Sequence, residues 1–318
     1  MKTKLLTLAV AAVAALSLSA CSKTAQAKDD TVKVGILQLI DQTALTQARK
    51  GFEDGLAQAG YKGSKIKIDY LNAQGDQANL QTMSQRLKSD QNDLNLAIAT
   101  PAAQALQKGD PDTPLLFTAV TDPVSANLTK SKADPSSNAT GTIDMVDIPE
   151  QIGYMHRLFP KAKTVGMIYN AAEQNSVVQI KLAKAAVKKL GLKVTTTTVA
   201  STKDVQSATE ALMNRCDVVY APTDNTVAAA MKTVAKVSLK MKVPVVPAAS
   251  TMVEDGGVAS IGIDYYKLGV QTAKMAVKIL QGKKVQDLPV ESPAQTSVIK
   301  NKTMMKAFGL TDADVAND

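Results

Sequence analysis

Six apolar runs in this chain end on residues that hydrogen-bond or carry charge: Gln38 with Asp41, Thr100, Thr121-Asp122, Tyr169-Asn170, Pro222-Thr223-Asp224-Asn225 and Asp264. In open α/β sheets, ligands sit beyond the carboxyl ends of the strands, where helix N-termini present free N–H groups. Thr100 with Ala102 and Ala103, and Thr121 with Asp122, offer such groups in the first half of the chain. Asn170, Glu173, Asn175, Ser176, Asp224 and Asn225 offer them in the second. Hydroxyls and helix-start amides suit a carboxylate, and an Asp or Glu suits an ammonium, so the set matches a small zwitterion. Each residue alone reads as an N-cap, contributing about 1 kcal/mol, before it reads as a ligand contact. Their concentration at corresponding strand ends is what points to a ligand.

The same inventory argues against catalysis. His156 is the single histidine and stands inside GYMHRLFP, so metal-ligand spacing is absent and no metal or cofactor is expected. No G-x-S-x-G elbow or phosphate-cradling glycine loop occurs; AQGDQ at 73–77 and VEDGGV at 253–258 read as turns. Cys216, in NRCDVVY, has no histidine near it in sequence and reads as a packed thiol.

The elements that must hold these residues alternate. VKVGILQLI (32–40) is an apolar strand, Ala44 to Ala59 has helical spacing, and IKIDYLNA (66–73), DLNLAIAT (93–100) and PLLFTAV (114–120) are further strands separated by helices. After a polar loop at 130–142 and a last strand in GTIDMV, the pattern restarts with KTVGMIYNA. Val34 to Gly60 and Val165 to Gly191 repeat the same strand, helix and glycine, and LAIATPAAQAL corresponds to VVYAPTDNTVA. Such duplication gives two similar α/β lobes with mostly parallel sheets. The expected first lobe is 32–146 with about 265–292, and the second 147–264 with about 293–318. Several short crossings between lobes make a hinge, which suits closure on something small.

The chain opens with an export signal: Lys2 and Lys4, an apolar stretch from Leu5 to Leu18, and Leu18-Ser19-Ala20-Cys21. Residues 1–20 are expected to be a lipoprotein signal peptide, Cys21 the lipidated residue, and 21–31 a tether. Only Cys216 then remains, so the fold cannot rely on an internal disulfide. The formal charge is +8, or +6 without Lys2 and Lys4. It is scattered over helix faces such as KLAKAAVKKLG, with no Arg/Lys block interleaved with aromatics, so nucleic acid is not an expected partner.

VGILQLIDQTALTQARKGFEDGL, YLNAQGDQANL, AIATPAAQAL, LLFTAVTDPV, VGMIYNAAEQNSVVQIKLAK, VYAPTDNTVAAAM and GIDYYKLGVQTAKMA together resemble the substrate-binding lipoproteins of bacterial tryptophan/tyrosine-type ABC transporters, with the type I periplasmic-binding-protein fold. The resemblance runs from Val34 to about Ala276. It implies an extracytoplasmic, membrane-anchored receptor that captures an aromatic amino acid and delivers it to a permease with an ATPase. It places contacts on Thr100 and Ala102, Thr121 and Asp122, Asn170, Glu173, Asn175 and Ser176, and Asp224 with Asn225. Asp224 is the expected ammonium partner, with Asp122 and Asp264 as competitors. Thr100, Ser176 and helix-start amides share the carboxylate, and Gln38, Phe117, Tyr169 and Tyr220 border the side-chain pocket. Aromatic residues make up only 3% of the chain and Trp is absent, which leaves little stacking surface. The alternatives are a ligand sensor for a membrane signalling protein and a lipid-anchored hydrolase.

Overall fold

The computed structural model describes residues 31–135 and 137–316; the expected signal peptide, Cys21 and most of the tether lie outside the described residues. Thr31–Asp318 is a compact unit of its own. Among the described residues no helix is long and apolar enough to cross a membrane.

The first lobe alternates strand and helix: β1 (Val32–Gln38), α1 (Thr43–Gln58), β2 (Ile66–Asn72), α2 (Gln77–Ser89), β3 (Leu94–Ile98), α3 (Thr100–Gly109), β4 (Leu115–Val120) and β5 (Ala139–Ile143). Its parallel sheet has the order β2-β1-β3-β4-β5. Every residue of β3 and β4 is buried, as expected when helices cover both faces of a parallel sheet.

The second lobe comprises α4 (Ile148–Leu158), β6 (Thr164–Asn170), α5 (Gln174–Lys189), β7 (Lys193–Val199), α6 (Val205–Met213), β8 (Val218–Ala221), α7 (Asn225–Ala229), α8 (Met231–Met241), β9 (Val245–Pro247), α9 (Ser250–Glu254) and β10 (Ala259–Gly262). Its parallel order is β7-β6-β8-β9. The registers show the duplication directly: Val32 faces Ile66 and Gln38 faces Asn72 in one lobe, while Thr164 faces Lys193 and Asn170 faces Val199 in the other. One apolar cluster fills the first lobe and continues onto one face of the second sheet, and another fills that sheet's opposite face.

The chain then crosses back. α10 (Tyr265–Leu280) packs on α1 backbone to backbone, because glycines stand at the contact. A Cβ on Gly269 would lie 2.0 Å from Ala48 O, and one on Gly51 2.0 Å from Tyr266 O. β11 (Ser297–Lys300) pairs antiparallel with β10, and α11 (Lys302–Ala307) completes the second lobe. The lobes are thus joined near 144–147, 263–264 and 292–296.

Side chains also bridge the lobes away from these crossings. Gln42 Nε2 donates to Asn225 Oδ1 at 3.3 Å, Thr43 Oγ1 donates to Asp255 Oδ2 at 2.7 Å, and Gln179 Nε2 donates to Thr121 Oγ1 at 3.2 Å. The protein is in a closed arrangement.

Candidate functional site

A narrow cavity, with room for little more than a water molecule in this closed arrangement, lies where both sheets present their carboxyl ends. Gln42, Asp144, Thr223, Asn225 and Tyr265 supply its polar wall, and Ala44, Leu45, Ala119, Ala228, Ala249 and Met252 its apolar one. The start of α1, the end of β4, the turn before α7, the end of β9 and the first residue of α10 therefore converge here.

Asp144 is the charged centre of this cavity. It follows β5 at a lobe crossing and is 5% exposed. Thr121 Oγ1 donates to its Oδ1 at 3.0 Å, and Tyr265 OH donates to its Oδ2 at 3.0 Å. Burial pushes its carboxyl above the ordinary range, and these two hydrogen bonds pull it back only in part. Among the described residues no cationic side chain pairs with it. Burial, reinforced by the Asp144 charge, also keeps the Tyr265 phenol protonated and donating. A buried carboxylate held by neutral donors alone is matched to a cationic guest.

A second polar element lies at the rim of the first lobe. α3 starts at Thr100 with no side-chain cap, although most helix starts here carry one, and the Thr100 hydroxyl is buried with no hydrogen-bond partner. Ala99 N donates to Thr118 O, which sets this helix start beside Ala119 of the cavity. Both alanines have positive φ, +85° at Ala99 and +54° at Ala119. Such backbone costs of order 1–3 kcal/mol per residue and clusters at functional sites. Gln38 is buried with its amide nitrogen given to Ile40 O and its Oε1 unpartnered.

Several expected contacts take other places. Asp224 is fully buried and engaged inside its own lobe: Oδ1 accepts Val227 N at 2.8 Å, and Oδ2 accepts Asn170 N at 2.6 Å and Ser176 Oγ at 2.7 Å. It caps α7 and pins the ends of β6 and α5, rather than lining the cavity. Burial and the neighbouring Glu173 push its carboxyl up to about 7. Glu173 accepts from the backbone and side chain of both Asn225 and Thr226, so the start of α7 is satisfied by the protein itself. Of this group Asn225 reaches the cavity, while Asn175 donates to Thr223 O at 2.9 Å and leaves its Oδ1 unpartnered.

Asp122 organises the turn after β4 by accepting from Val124 N and Ser125 N. Asp264 caps α10 through Lys267 N, is exposed, and faces an outer groove. Phe117 and Ala102 lie in the apolar core of the first lobe. Tyr220 lies in the second core and donates to Gln151 Oε1 at 3.1 Å, and Tyr169 packs against that core half-buried. Strand alternation directs these aromatics to faces covered by helices, so they stand in the two cores and not on the cavity wall. Cys216 sits half-buried behind Gly166, with burial pushing its thiol up to about 11. It therefore stays protonated and a poor nucleophile.

Sequence reasoning missed Asp144, Tyr265, Gln42 and Gln179. Asp144 stands in GTIDMV, which reads as a last strand followed by a crossing, and Tyr265 in GIDYYKLG, where Asp264 reads as the strand-end residue. The available signal was the hinge itself, since residues of the crossings stand at the seam where the two lobes meet.

The chain matches the family model for ABC transporter substrate binding proteins over residues 33–315. It is 37% identical over 326 residues to the tyrosine-binding protein of Clostridioides difficile, covering 99% of this chain and 94% of that one. An ABC domain from Streptococcus pneumoniae in complex with L-Trp aligns with a TM-score of 0.85 at 40% identity, covering 88% of this chain and 95% of that one. A ligand-free, open substrate-binding protein with adhesive properties from Clostridium difficile aligns with a TM-score of 0.68 at 41% identity, covering 89% and 96%. Members of such a family bind a solute outside the cytoplasm and pass it unchanged to a permease and its ATPase, and this chain belongs to the ABC transporter substrate-binding proteins of the type I periplasmic-binding fold.

Proposed function

We propose that the protein is the receptor of an amino-acid importer and that its ligand is aromatic: Trp, Tyr or Phe. The observation that carries the reading is Asp144, a buried carboxylate at the narrow interlobe cavity with hydroxyl donors but no cation among the described residues. The ligand ammonium takes the place of that missing charge. Its carboxylate goes to the uncapped start of α3, where the Thr100 hydroxyl is free and the helix dipole is positive. The side chain lies along the apolar wall; alanines and Met252 accept a flat ring through shape and polarizability rather than stacking.

The relatives support this choice. At nearly equal identity, the chain resembles the L-Trp complex more closely in shape than the ligand-free open protein, which agrees with its bridged lobes. Leu18-Ser19-Ala20-Cys21 supports lipid attachment at Cys21 and hence a membrane anchor.

Calorimetric titration of the Thr31–Asp318 unit, stripped of carried-over ligand, with each of the twenty amino acids tests the function. Saturable binding of L-Trp, L-Tyr or L-Phe is expected, and no binding by the folded protein contradicts it. Mass spectrometry of the released ligand is expected to show it chemically unchanged. A Cys21→Ala chain is expected to lose its lipid and leave the membrane fraction.

A further inference from the structure

Gln179 is buried on α5 of the second lobe, yet its side-chain amide is aimed at the other lobe. Its Nε2 donates to Thr121 Oγ1 of the first lobe at 3.2 Å and to Thr223 Oγ1 of its own. Its Oε1 accepts Thr223 N at 3.1 Å, and the Thr121 and Thr223 hydroxyls are 3.3 Å apart. Thr121 in turn donates to Asp144 Oδ1.

Counting hydrogens fixes the direction of this chain. A hydroxyl has one hydrogen and two lone pairs, a carboxylate only accepts, and an amide nitrogen only donates. With Asp144 ionised, Thr121 gives its hydrogen to the carboxylate, and its lone pairs receive one Gln179 hydrogen and the Thr223 hydrogen. Thr223 then accepts the second Gln179 hydrogen, and every group is satisfied. With the first bond reversed, Thr121 has one lone pair occupied by the Asp144 proton and must donate to Thr223, whose own hydrogen finds no acceptor in the chain.

We propose that Gln179 is a positioning residue for ligand-driven closure: it docks the second lobe on the Thr121 hydroxyl, whose direction the ionised Asp144 sets, so an ammonium that holds Asp144 ionised also holds the bridge between the lobes in its fully satisfied arrangement. The inference rests on the assignment of the ligand ammonium to Asp144. It gives the ligand a differential interaction with the closed state, which any ligand-driven conformational change requires.

The chain contains no Trp, so the fluorescence of L-Trp as ligand can be followed free of protein tryptophan emission by exciting beyond the tyrosine band. Stopped-flow association and dissociation of L-Trp are measured on the Thr31–Asp318 unit and its Gln179→Ala, Thr121→Val, Thr121→Ser, Asp144→Asn and T121V/Q179A variants, with small-angle scattering to follow closure. Gln179→Ala and Thr121→Val are expected to raise the dissociation rate about tenfold, the scale of a hydrogen bond in a charge-assisted chain. Association should stay within about twofold. The double variant should be little worse than either single one, Thr121→Ser should restore slow release, and the ligand-induced decrease in radius of gyration should shrink in Gln179→Ala. A role in packing alone predicts lower thermal stability with an unchanged dissociation rate. If Asp144→Asn weakens binding strongly while Gln179→Ala and Thr121→Val release L-Trp at the wild-type rate, the relay is wrong and the ammonium assignment stands. If Asp144→Asn has no effect, or if the wild-type unit does not bind L-Trp, the assignment fails and the relay fails with it.

Discussion

Tyr265 donates its phenolic hydrogen to Asp144 Oδ2 at 3.0 Å, and the two residues belong to different crossings of the hinge. The bond ties the entry to α10 to the end of β5 and holds the carboxylate in the cavity. Tyr265→Phe removes that donor while preserving the ring. A hydrogen bond to a charged group contributes about 1.5–3 kcal/mol, so affinity for L-Trp should fall roughly tenfold to a hundredfold with the fold intact. Calorimetric titration alongside circular dichroism checks both halves of this expectation.

Buried Asp224 makes stability depend on pH in an unusual direction. Asp224 titrates near 7 in the folded protein, against 3.8 as its ordinary value. Between these values the folded state holds more protons than the unfolded state, so the contribution is complete below about 4 and is lost as pH rises through about 7. Asp224→Asn should remove this component. The readout is the difference in Tm between wild type and variant, which should move against the wild type as pH rises from 4 to 8. Because Asp224 is engaged with Asn170, Ser176 and Val227, the variant should also be less stable at every pH.

The contact between α1 and α10 leaves no room for a methyl group at Gly269, where a Cβ would meet the Ala48 carbonyl oxygen at 2.0 Å. Gly269→Ala must separate two helices that carry the first lobe, and overpacking of this kind costs about 1–3 kcal/mol. Gly282→Ala serves as comparison: its φ of +95° is strained for alanine, but a Cβ there meets nothing within 4 Å. Thermal denaturation should show the larger loss at Gly269.

Much of the architecture was legible because burial dictates it. The apolar runs of β1, β3 and β4, the matching spans from Val34 to Gly60 and from Val165 to Gly191, and the return of α10 all follow from patterns that a parallel sheet imposes. β9 and the helices around it were harder to read, since Val245–Pro247 is too short to show a period. The site was less legible. Asn225 stands on the cavity wall, Thr121 is bonded to Asp144 of that wall, and Thr100 opens α3 near by. Asp224 has the right residue type at the right kind of position, yet its carboxylate fastens backbone and hydroxyl groups within one lobe. Sequence position cannot tell a cap from a ligand contact, because both demand the same chemistry at a helix start.

Thr43 Oγ1 donates to Asp255 Oδ2 at 2.7 Å across the mouth between the lobes. This bond exists only when the lobes are together. Thr43→Ala should therefore leave association unchanged and accelerate release several-fold, the equivalent of about 1 kcal/mol for one hydrogen bond. Stopped-flow displacement of L-Trp measures both rates.

The assignment of the ligand ammonium to Asp144 is tested most directly by titrating Asp144→Asn, which keeps size while removing the charge and turning one accepting oxygen into a donor, with L-Trp, L-Tyr and L-Phe. Loss of one partner of a buried charge pair costs about 3–5 kcal/mol, so binding should weaken by a hundredfold or more for each ligand that the wild type binds. Asp224→Asn, measured in parallel, should stay within a few-fold of wild type. Affinity in Asp144→Asn within about threefold of wild type would contradict the account, and a large loss confined to Asp224→Asn would return the ammonium to the second lobe.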